Sequence, residues 1–376
     1  MNRPIFLDFN ATTPLDSRVL QAMLPWFEVP ANPHSLQHQA GFAAHGAIEE
    51  ARAEVAAATG RSPDGILFTP SATFACNQVV RSFAGEGKKI VVSAIEHPCV
   101  IETARWCAER GAILEIVSVN EEGLIDLDAV FEKVPDAALV SVMGVNNEVG
   151  TIQPIVEIAE YCRAYDVPFH CDAAQALGRT PLSELGENTI ITVSSHKIYG
   201  PQGIGAICAH PSMLVKLKPL ITGGGQQGGL YPGTLPTALC VGLGVACKLA
   251  EEEREQDWKH AATLSERFLA RLQGNDILYS LNGSAEERVP HNLNLSFDGV
   301  DADALLALMP DVALSTGSAC SSGAIGGSKV LEAIGLPEVQ SAQAVRIGFG
   351  RTSHATEIDE AVAKIGAAIK RLQEGL

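Results

Sequence analysis

Short apolar runs alternate with amphipathic stretches between about residues 60 and 210. The runs are rich in Val and Ile and are mostly apolar on both faces, which is typical of buried parallel strands. The amphipathic stretches 99–110 and 155–165 predict helices between them. This alternation predicts βαβ units and a doubly wound sheet. The predicted strands are ILFT (66–69), KIVVS (89–93), AILEIVSV (112–119), AALVSVM (137–143), PFHCD (168–172) and IITVSS (190–195).

The pattern changes after a helical stretch near 238–256. Beyond it the chain predicts two strands, NLNLSF (292–297) and AVRIGFG (344–350), among helices around 258–272, 301–308 and at the end. The fold class is therefore α/β, with a second, smaller α+β domain. We expect the large domain over residues 14–256, and the small domain from residues 1–13 together with 257–376.

Two helix starts have local signals. Thr13 followed by Pro14 predicts a cap and a first helical position for the first helix. Thr356, with Asp359 three residues later, predicts the cap of the last helix.

Composition and charge favour a soluble protein and argue against nucleic-acid and membrane binding. The hydrophobic fraction of 46% and charged fraction of 19% fit a soluble protein of two domains. The formal charge of −17 argues against direct nucleic-acid or anionic-membrane binding, which need a basic surface. The chain has no apolar run of membrane-spanning length and its start lacks a secretory signal, so a cytoplasmic location is expected.

The nine cysteines are odd in number and contain no CxxC pair. A disulfide framework, a structural zinc site and any other metal site are therefore not expected. Most cysteines lie in apolar surroundings and suit a core. Cys320 differs, because the run STGSACSSGAIGG surrounds it with small residues that cannot pack around a thiol.

Two side chains follow buried strands and suggest a carbonyl cofactor. Lys197 in VSSHKIYGPQGIGAI lies where α/β sheets bind ligands, and a desolvated lysine can bond covalently to a carbonyl group. Asp172 ends a strand twenty-five positions earlier and can keep a pyridine nitrogen protonated. The alternatives are a surface lysine and a helix cap.

A phosphate subsite has a candidate in FTPSATFACN, where Ala72 and Thr73 open a helix after a strand. Ser194 is a further donor. The stretch GGGQQGGLYPGT, which ends at Thr234, is glycine-rich but matches no nucleotide-binding motif.

Three further residues have a functional and an ordinary interpretation. His97 follows a strand and can stack on a planar cofactor and move protons, or cap a helix. Asn147 can orient a cofactor hydroxyl, or make a turn. Arg346 lies in an apolar strand and can bind a carboxylate, or pair with an internal Asp or Glu.

Together these stretches resemble the cysteine desulfurases of the class V aminotransferase family, of the iron–sulfur-assembly type with a long cysteine loop. The resemblance runs almost end to end and implies a pyridoxal-phosphate-dependent transferase fold with a mainly parallel seven-stranded sheet. It is carried by LDFNATTP, NPHSLQHQAG, EHPCV, VNNEVG, DAAQALG, SSHKIYGPQGIGA, GGGQQGGLYPGTLP, STGSACSS and RIGFGRT.

The resemblance implies a role for each matching residue. Lys197 would hold pyridoxal 5′-phosphate covalently and act as acid and base, and His97 would stack on its ring. Arg346 would bind the substrate carboxylate, and Asn147 also faces the substrate. The remaining cofactor contacts would be Ala72, Thr73, Asn147, Asp172, Gln175, Ser194, His196 and, from the partner subunit of a homodimer, Thr234.

The implied reaction converts L-cysteine to L-alanine and leaves a persulfide on Cys320, for which a mobile Gly/Ser loop is suited. A sulfur-acceptor or scaffold protein would then receive the sulfur for iron–sulfur cluster assembly, or for DNA or tRNA thiolation. The alternatives are a selenocysteine lyase or another pyridoxal-phosphate enzyme, and a non-catalytic sulfur-handling scaffold.

The chain departs from the family pattern near the expected cofactor mouth. Ser71 and Phe74 stand where the family usually has glycine and glutamate. In the glycine-rich loop, Gln227 replaces a glutamate, and Gly228 and Tyr231 replace arginines. Charges expected at the cofactor mouth and the dimer contact are thus lost.

Overall fold

The structure is a computed structural model that describes residues 4–316 and 327–374. Its strands are β1 (Ile5–Phe6), β2 (Ile66–Thr69), β3 (Lys89–Ser93), β4 (Ile113–Val117), β5 (Ala137–Ser141), β6 (Phe169–Asp172), β7 (Thr189–Ser194), β8 (Gly205–Cys208), β9 (Ser280–Leu281), β10 (Asn292–Ser296), β11 (Val312–Ala313), β12 (Ser315–Thr316) and β13 (Ala344–Gly348). Its helices are α1 (Ser17–Met23), α2 (Pro25–Glu28), α3 (Gln39–Thr59), α4 (Ala72–Phe83), α5 (Pro98–Ala108), α6 (Leu127–Lys133), α7 (Ile155–Ala164), α8 (Pro211–Leu214), α9 (Thr237–Glu252), α10 (Arg254–Gly274), α11 (Ala302–Ala307), α12 (Lys329–Ala333), α13 (Glu338–Ser341) and α14 (Ala355–Gln373).

The seven strands β2 to β8 form one sheet in the order β2-β8-β7-β6-β5-β3-β4. All neighbouring pairs are parallel except those of β8, which runs antiparallel to β2 and β7. The mainly parallel α/β sheet is therefore confirmed. Its seventh strand, β8, is not among the six strands that the apolar runs predicted.

Both faces of this sheet are covered, as the apolar strand pattern requires. Successive residues of a strand point to opposite faces. In β7, for example, Ile191 and Val193 join one core, whereas Ile190 joins the core on the other face. Helices α3 and α9 pack over the first core, and α4 and α5 pack over the second.

A second, antiparallel sheet has the order β12-β13-β10-β9, and it packs with α10 and α14 around a separate apolar core. The N-terminal strand β1 pairs in parallel with β11 beside this core. The chain then crosses to the large sheet. The domain boundaries at 14–256 and 257–376 remain a prediction.

Both predicted helix caps are wrong. The first helix begins at Ser17, and Asp16 caps it by accepting from the Arg18 N–H at 2.9 Å. The last helix begins at Ala355 with His354 as its cap, because the Glu357 carboxylate returns to the His354 N–H. The observed caps lie three residues after the first predicted cap and two residues before the second.

None of the helices in residues 4–316 and 327–374 has both the length and the apolar character that crossing a membrane requires.

Helices α3 and α9 approach so closely that Gly244 has no room for a side chain. A Cβ atom there would lie 2.6 Å from the Ala51 Cα and 3.0 Å from its carbonyl oxygen. We expect Gly244→Ala to lower the free energy of unfolding by about 1–3 kcal/mol, because backbone atoms must separate. Gly274→Ala at the end of α10, where a Cβ meets nothing within 4 Å, is the control and should cost no stability. Urea unfolding of both variants measures the difference, and equal midpoints would contradict this packing argument.

Candidate active site

A cavity of about 440 Å³ opens at the carboxyl edge of the large sheet. The chain segments that follow β2, β3, β5, β6 and β7 all reach this edge, which is where α/β sheets bind ligands. The structure brings together there most of the residues that the sequence singled out, namely Ala72, Thr73, His97, Asn147, Asp172, Gln175, Ser194, His196 and Lys197.

Lys197 lies in a short 3₁₀ turn directly after β7. Its Nζ donates to the carbonyl oxygens of Asn10 and Ala11, at 2.6 and 2.7 Å. The lysine is thus half-buried at the cavity wall, and the N-terminal segment supplies its acceptors. The interpretation as an ordinary surface lysine does not fit this position.

Thr13, which does not cap a helix, fixes the lysine loop instead. Its hydroxyl donates to the His196 carbonyl at 3.0 Å and accepts from the Tyr199 N–H at 2.7 Å. The loop that bears Lys197 is therefore bound to the N-terminal segment on both sides of the lysine.

Asp172 is buried at the end of β6. One carboxylate oxygen accepts a hydrogen bond from the Ala174 N–H at 2.9 Å. Asp172 therefore also stabilises the turn that follows β6, as a capping residue would. The other oxygen lies 3.8 Å from the Cys76 Sγ. Cys76 follows Ala72, the first residue of α4, by four residues, which is about 6 Å along the helix axis.

The N-terminus of α4 offers an anion subsite. Ser71 caps this helix by accepting from the Phe74 N–H at 3.1 Å, and Ala72 and Thr73 line the cavity. Ser194 and His196 face the same cavity. Burial, and then the nearby Lys197 charge, lower the pKa of His196 to about 4, so its ring is neutral at pH 7.

Both interpretations of His97 fit the structure, because His97 caps α5 and also lines the cavity. Its Nδ1 accepts from the Cys99 N–H at 3.1 Å, which fixes the ring orientation. Gln175 is oriented in a similar way, because its Nε2 donates to the Asn10 carbonyl at 2.9 Å. Its Oε1 accepts from the Arg179 guanidinium.

Arg346 is buried in β13 and does not line the cavity. Its guanidinium pairs with Asp8 at 2.8 Å and donates to the Asn147 carbonyl at 3.2 Å. The internal pairing considered from the sequence is therefore present. The Nε atom is buried and has no hydrogen-bond partner in the described part of the chain.

The last two predicted residues are Thr234 and Cys320. Thr234 is exposed and does not line the cavity of its own chain, which is the arrangement that a contribution to a second copy requires. Cys320 lies outside the described residues.

Sequence reasoning missed two cysteines of the site. Cys99 lines the cavity, and its Sγ, the Cys76 Sγ and an Asp172 oxygen lie within 4.8 Å of one another. This set could hold a thiophilic metal ion. A signal was available, because Cys99 lies two residues after His97 and Cys76 lies one helical turn after Ala72.

Three residues that depart from the family pattern form uncharged contacts. The rings of Phe74 and Tyr231 pack edge to face with centroids 5.3 Å apart. The Gln227 amide accepts from the Phe68 N–H and donates to the Phe68 carbonyl, both at 2.8 Å. An amide can form both bonds, whereas a carboxylate can only accept.

Comparisons with known proteins agree with the geometry. A family model described as aminotransferase class-V matches residues 5–361. A cysteine desulfurase IscS of Rickettsia bellii is 41% identical over an alignment of 379 positions, which covers 99% of this chain and 92% of the relative. Among solved structures, a NifS-like protein is 30% identical with a TM-score of 0.88, covering 98% of this chain and 99% of its own. SspA in complex with cysteine is 32% identical with a TM-score of 0.81, covering 92% and 98%.

A buried carboxyl beside the site gives a pH prediction. Burial raises the pKa of Glu148 from 4.5 to about 7, although Ser328 donates a hydrogen bond to it. Between these pH values the folded chain binds more protons than the unfolded chain, so stability falls as pH rises. The fall amounts to at most about 3 kcal/mol. Glu148→Gln should remove most of it.

Urea unfolding at pH 5 and pH 8 measures this effect as the difference between wild type and variant. Exposed Glu338→Gln is the matched control and should keep the wild-type pH dependence. An unchanged pH dependence in Glu148→Gln would show that this carboxyl is already ionised at pH 5.

Proposed function

The chain belongs to the class V aminotransferase family and is a cysteine desulfurase, and we propose that pyridoxal 5′-phosphate binds in its cavity as the cofactor. The observation that carries the proposal is the convergence of Lys197, Asp172 and the α4 N-terminus on one cavity. A volume of about 440 Å³ is in the range of small-ligand sites.

The donor set fits this cofactor group by group. Asp172 would accept a hydrogen bond from the protonated pyridine nitrogen. The N–H groups at the start of α4, with Thr73, Ser194 and His196, would bind the phosphate. The spacing of about 6 Å along α4 separates these two functions. Lys197 would bind the aldehyde carbon, His97 would stack on the ring, and Asn147 and Gln175 would contact its substituents.

The reaction converts L-cysteine to L-alanine. When bound, the cofactor supplies an electron sink for the charge that develops at the substrate Cα. Lys197 Nζ would move the Cα proton. Arg346, whose guanidinium donates to the carbonyl of the cavity residue Asn147, would hold the substrate carboxylate. His97 would donate a proton to the substrate as its bonds break.

We place the sulfur on Cys320. Its thiolate attacks the substrate sulfur, and the Cβ–S bond breaks with its electron pair remaining on carbon, which becomes the methyl group of alanine. The sum is L-cysteine plus one thiol giving L-alanine plus one persulfide. A sulfur-acceptor protein of an iron–sulfur-assembly system would then take the outer sulfur.

Alanine release from L-cysteine with a reductant present tests this assignment. We expect wild-type protein to release alanine and Cys320→Ala to release almost none, because the sulfur has no acceptor. Lys197→Ala should lose about 10²–10⁴-fold in rate, as expected for a missing general acid–base group. Cys107→Ala, a buried cysteine on α5 outside the cavity, is the control and should stay active. Equal release from wild type and Cys320→Ala would refute the persulfide step.

We also propose a homodimer in which Thr234 reaches the partner's cavity. An apolar surface supports it, formed around α1, α2 and the start of α3. Its exposed side chains are Leu20, Leu24, Phe27, Val29, Leu36 and Phe42. Phe27 and Phe42 are 64% and 66% exposed, which is unusual for a surface that faces only water.

The dimer proposal predicts that Phe42→Glu produces monomers, because it would bury a charge in the interface. Light scattering after gel filtration gives the mass. Leu278→Glu, at a side chain that is 79% exposed in the other half of the chain, is the control and should remain dimeric. A monomeric wild type would overturn the proposal.

A further inference from the structure

Cys76 and Cys99 form a pair of facing thiols that the desulfurase reaction does not use. Cys76 belongs to α4 and Cys99 to the first turn of α5. The two helices pack against each other beside the sheet. Both Sγ atoms and an Asp172 oxygen lie within 4.8 Å of one another.

The two thiols differ in access. Cys76 is fully buried, and its Sγ contacts the Thr192 Oγ1 at 3.4 Å. Thr192 in turn contacts the His170 ring at 3.0 Å, so Cys76 belongs to a polar chain inside the sheet. Cys99 is partly exposed and lines the cavity. A small reagent that enters the cavity therefore meets Cys99 first.

Two thiols that face each other can serve in a two-step oxidation. The accessible thiol can be oxidised first, and the buried thiol beside it can then close a disulfide with it. A solvent-accessible cysteine next to a second cysteine is typical of oxidation-sensitive sites.

We propose that Cys99 is a peroxide-oxidised residue and that Cys76 closes a reversible disulfide with it beside the cofactor cavity. The Cys99 thiolate takes one oxygen from a hydroperoxide and becomes a sulfenic acid, and hydroxide leaves. The Cys76 sulfur then attacks the Cys99 sulfur, which forms the S–S bond and releases water. A dithiol reductant restores both thiols.

The disulfide changes the site that Asp172 provides. Its sulfurs must come to about 2.05 Å, so α4 and α5 or their side chains have to move. The α4 N-terminus and His97 would shift with them. Bonding also removes the Cys76 thiol from its contact with Asp172. We therefore expect weaker cofactor binding after oxidation, a consequence that rests on the proposed function.

The test treats cofactor-stripped, full-length protein with a few equivalents of hydrogen peroxide and a chelator. Peptide mapping should find the peptides of Cys76 and Cys99 joined, with a mass 2 Da below their sum, and separate again with dithiothreitol. Cys99→Ala should form no such species. Cys76→Ala should leave a Cys99 sulfenic acid that dimedone traps. Cys107→Ala, on the same helix as Cys99, should form the disulfide like wild type.

Cofactor binding gives the second readout. Titration with pyridoxal 5′-phosphate, followed by absorbance, should show at least fivefold weaker binding after oxidation in wild type and Cys107→Ala. Cys99→Ala should show no change on oxidation. Holoprotein should form the disulfide at least fivefold more slowly, because the bound cofactor covers Cys99.

The proposal is overturned if no joined peptide forms while Cys320 in the same sample is oxidised. It is also overturned if Cys99→Ala forms as much of the −2 Da species as wild type. Failure of the proposed function would look different: the joined peptide forms, but pyridoxal 5′-phosphate neither binds nor slows its formation.

Discussion

The ammonium group of Lys197 needs acceptors, and it takes them from a segment that begins at the other sheet. An amine held away from water is stable only when its protons are accepted. The carbonyls of Asn10 and Ala11 meet that need. Upstream, Asp8 pairs with the buried Arg346. The crossing segment therefore supplies acceptors to the half-buried Lys197 and to the buried Arg346 at once, and it ties the lysine loop to the small sheet.

Hydrogen-bond donors and acceptors also occupy different regions of the cavity. Hydrogen-bond donors collect where α4 begins, and His196 stays neutral there because its burial opposes a second positive charge beside Lys197. Acceptors and thiols collect one helical turn further, around Asp172. A ligand that is anionic at one end and donates a proton at the other complements both regions. The helix thus sets both the polarity and the spacing of the site.

The sequence predicted the strands and the edge of the sheet well, because apolar runs and the residues that follow them are local signals. It failed wherever a distant partner decides the outcome. Thr13 looks like a helix cap, but its hydroxyl hydrogen-bonds to the backbone of His196 and Tyr199, which lie more than 180 residues away in the chain. Asp359 looks like part of a cap, but Arg267 and Arg271 pair with it. The thiol pair was missed because the packing of α4 against α5, and not the local sequence, brings Cys76 and Cys99 together.

In the glycine-rich loop, amide hydrogen bonds and a ring contact stand where the family pattern has charged residues. Strand β2 lies at the edge of the large sheet, and an edge strand leaves N–H and C=O groups without partners. The Gln227 amide satisfies both groups of Phe68, at the cost of a left-handed backbone with φ of 49°. A glutamate there would repel the Phe68 carbonyl. Gln227 and the Phe74–Tyr231 contact therefore hold this loop to the sheet edge without charged partners, seven residues before Thr234.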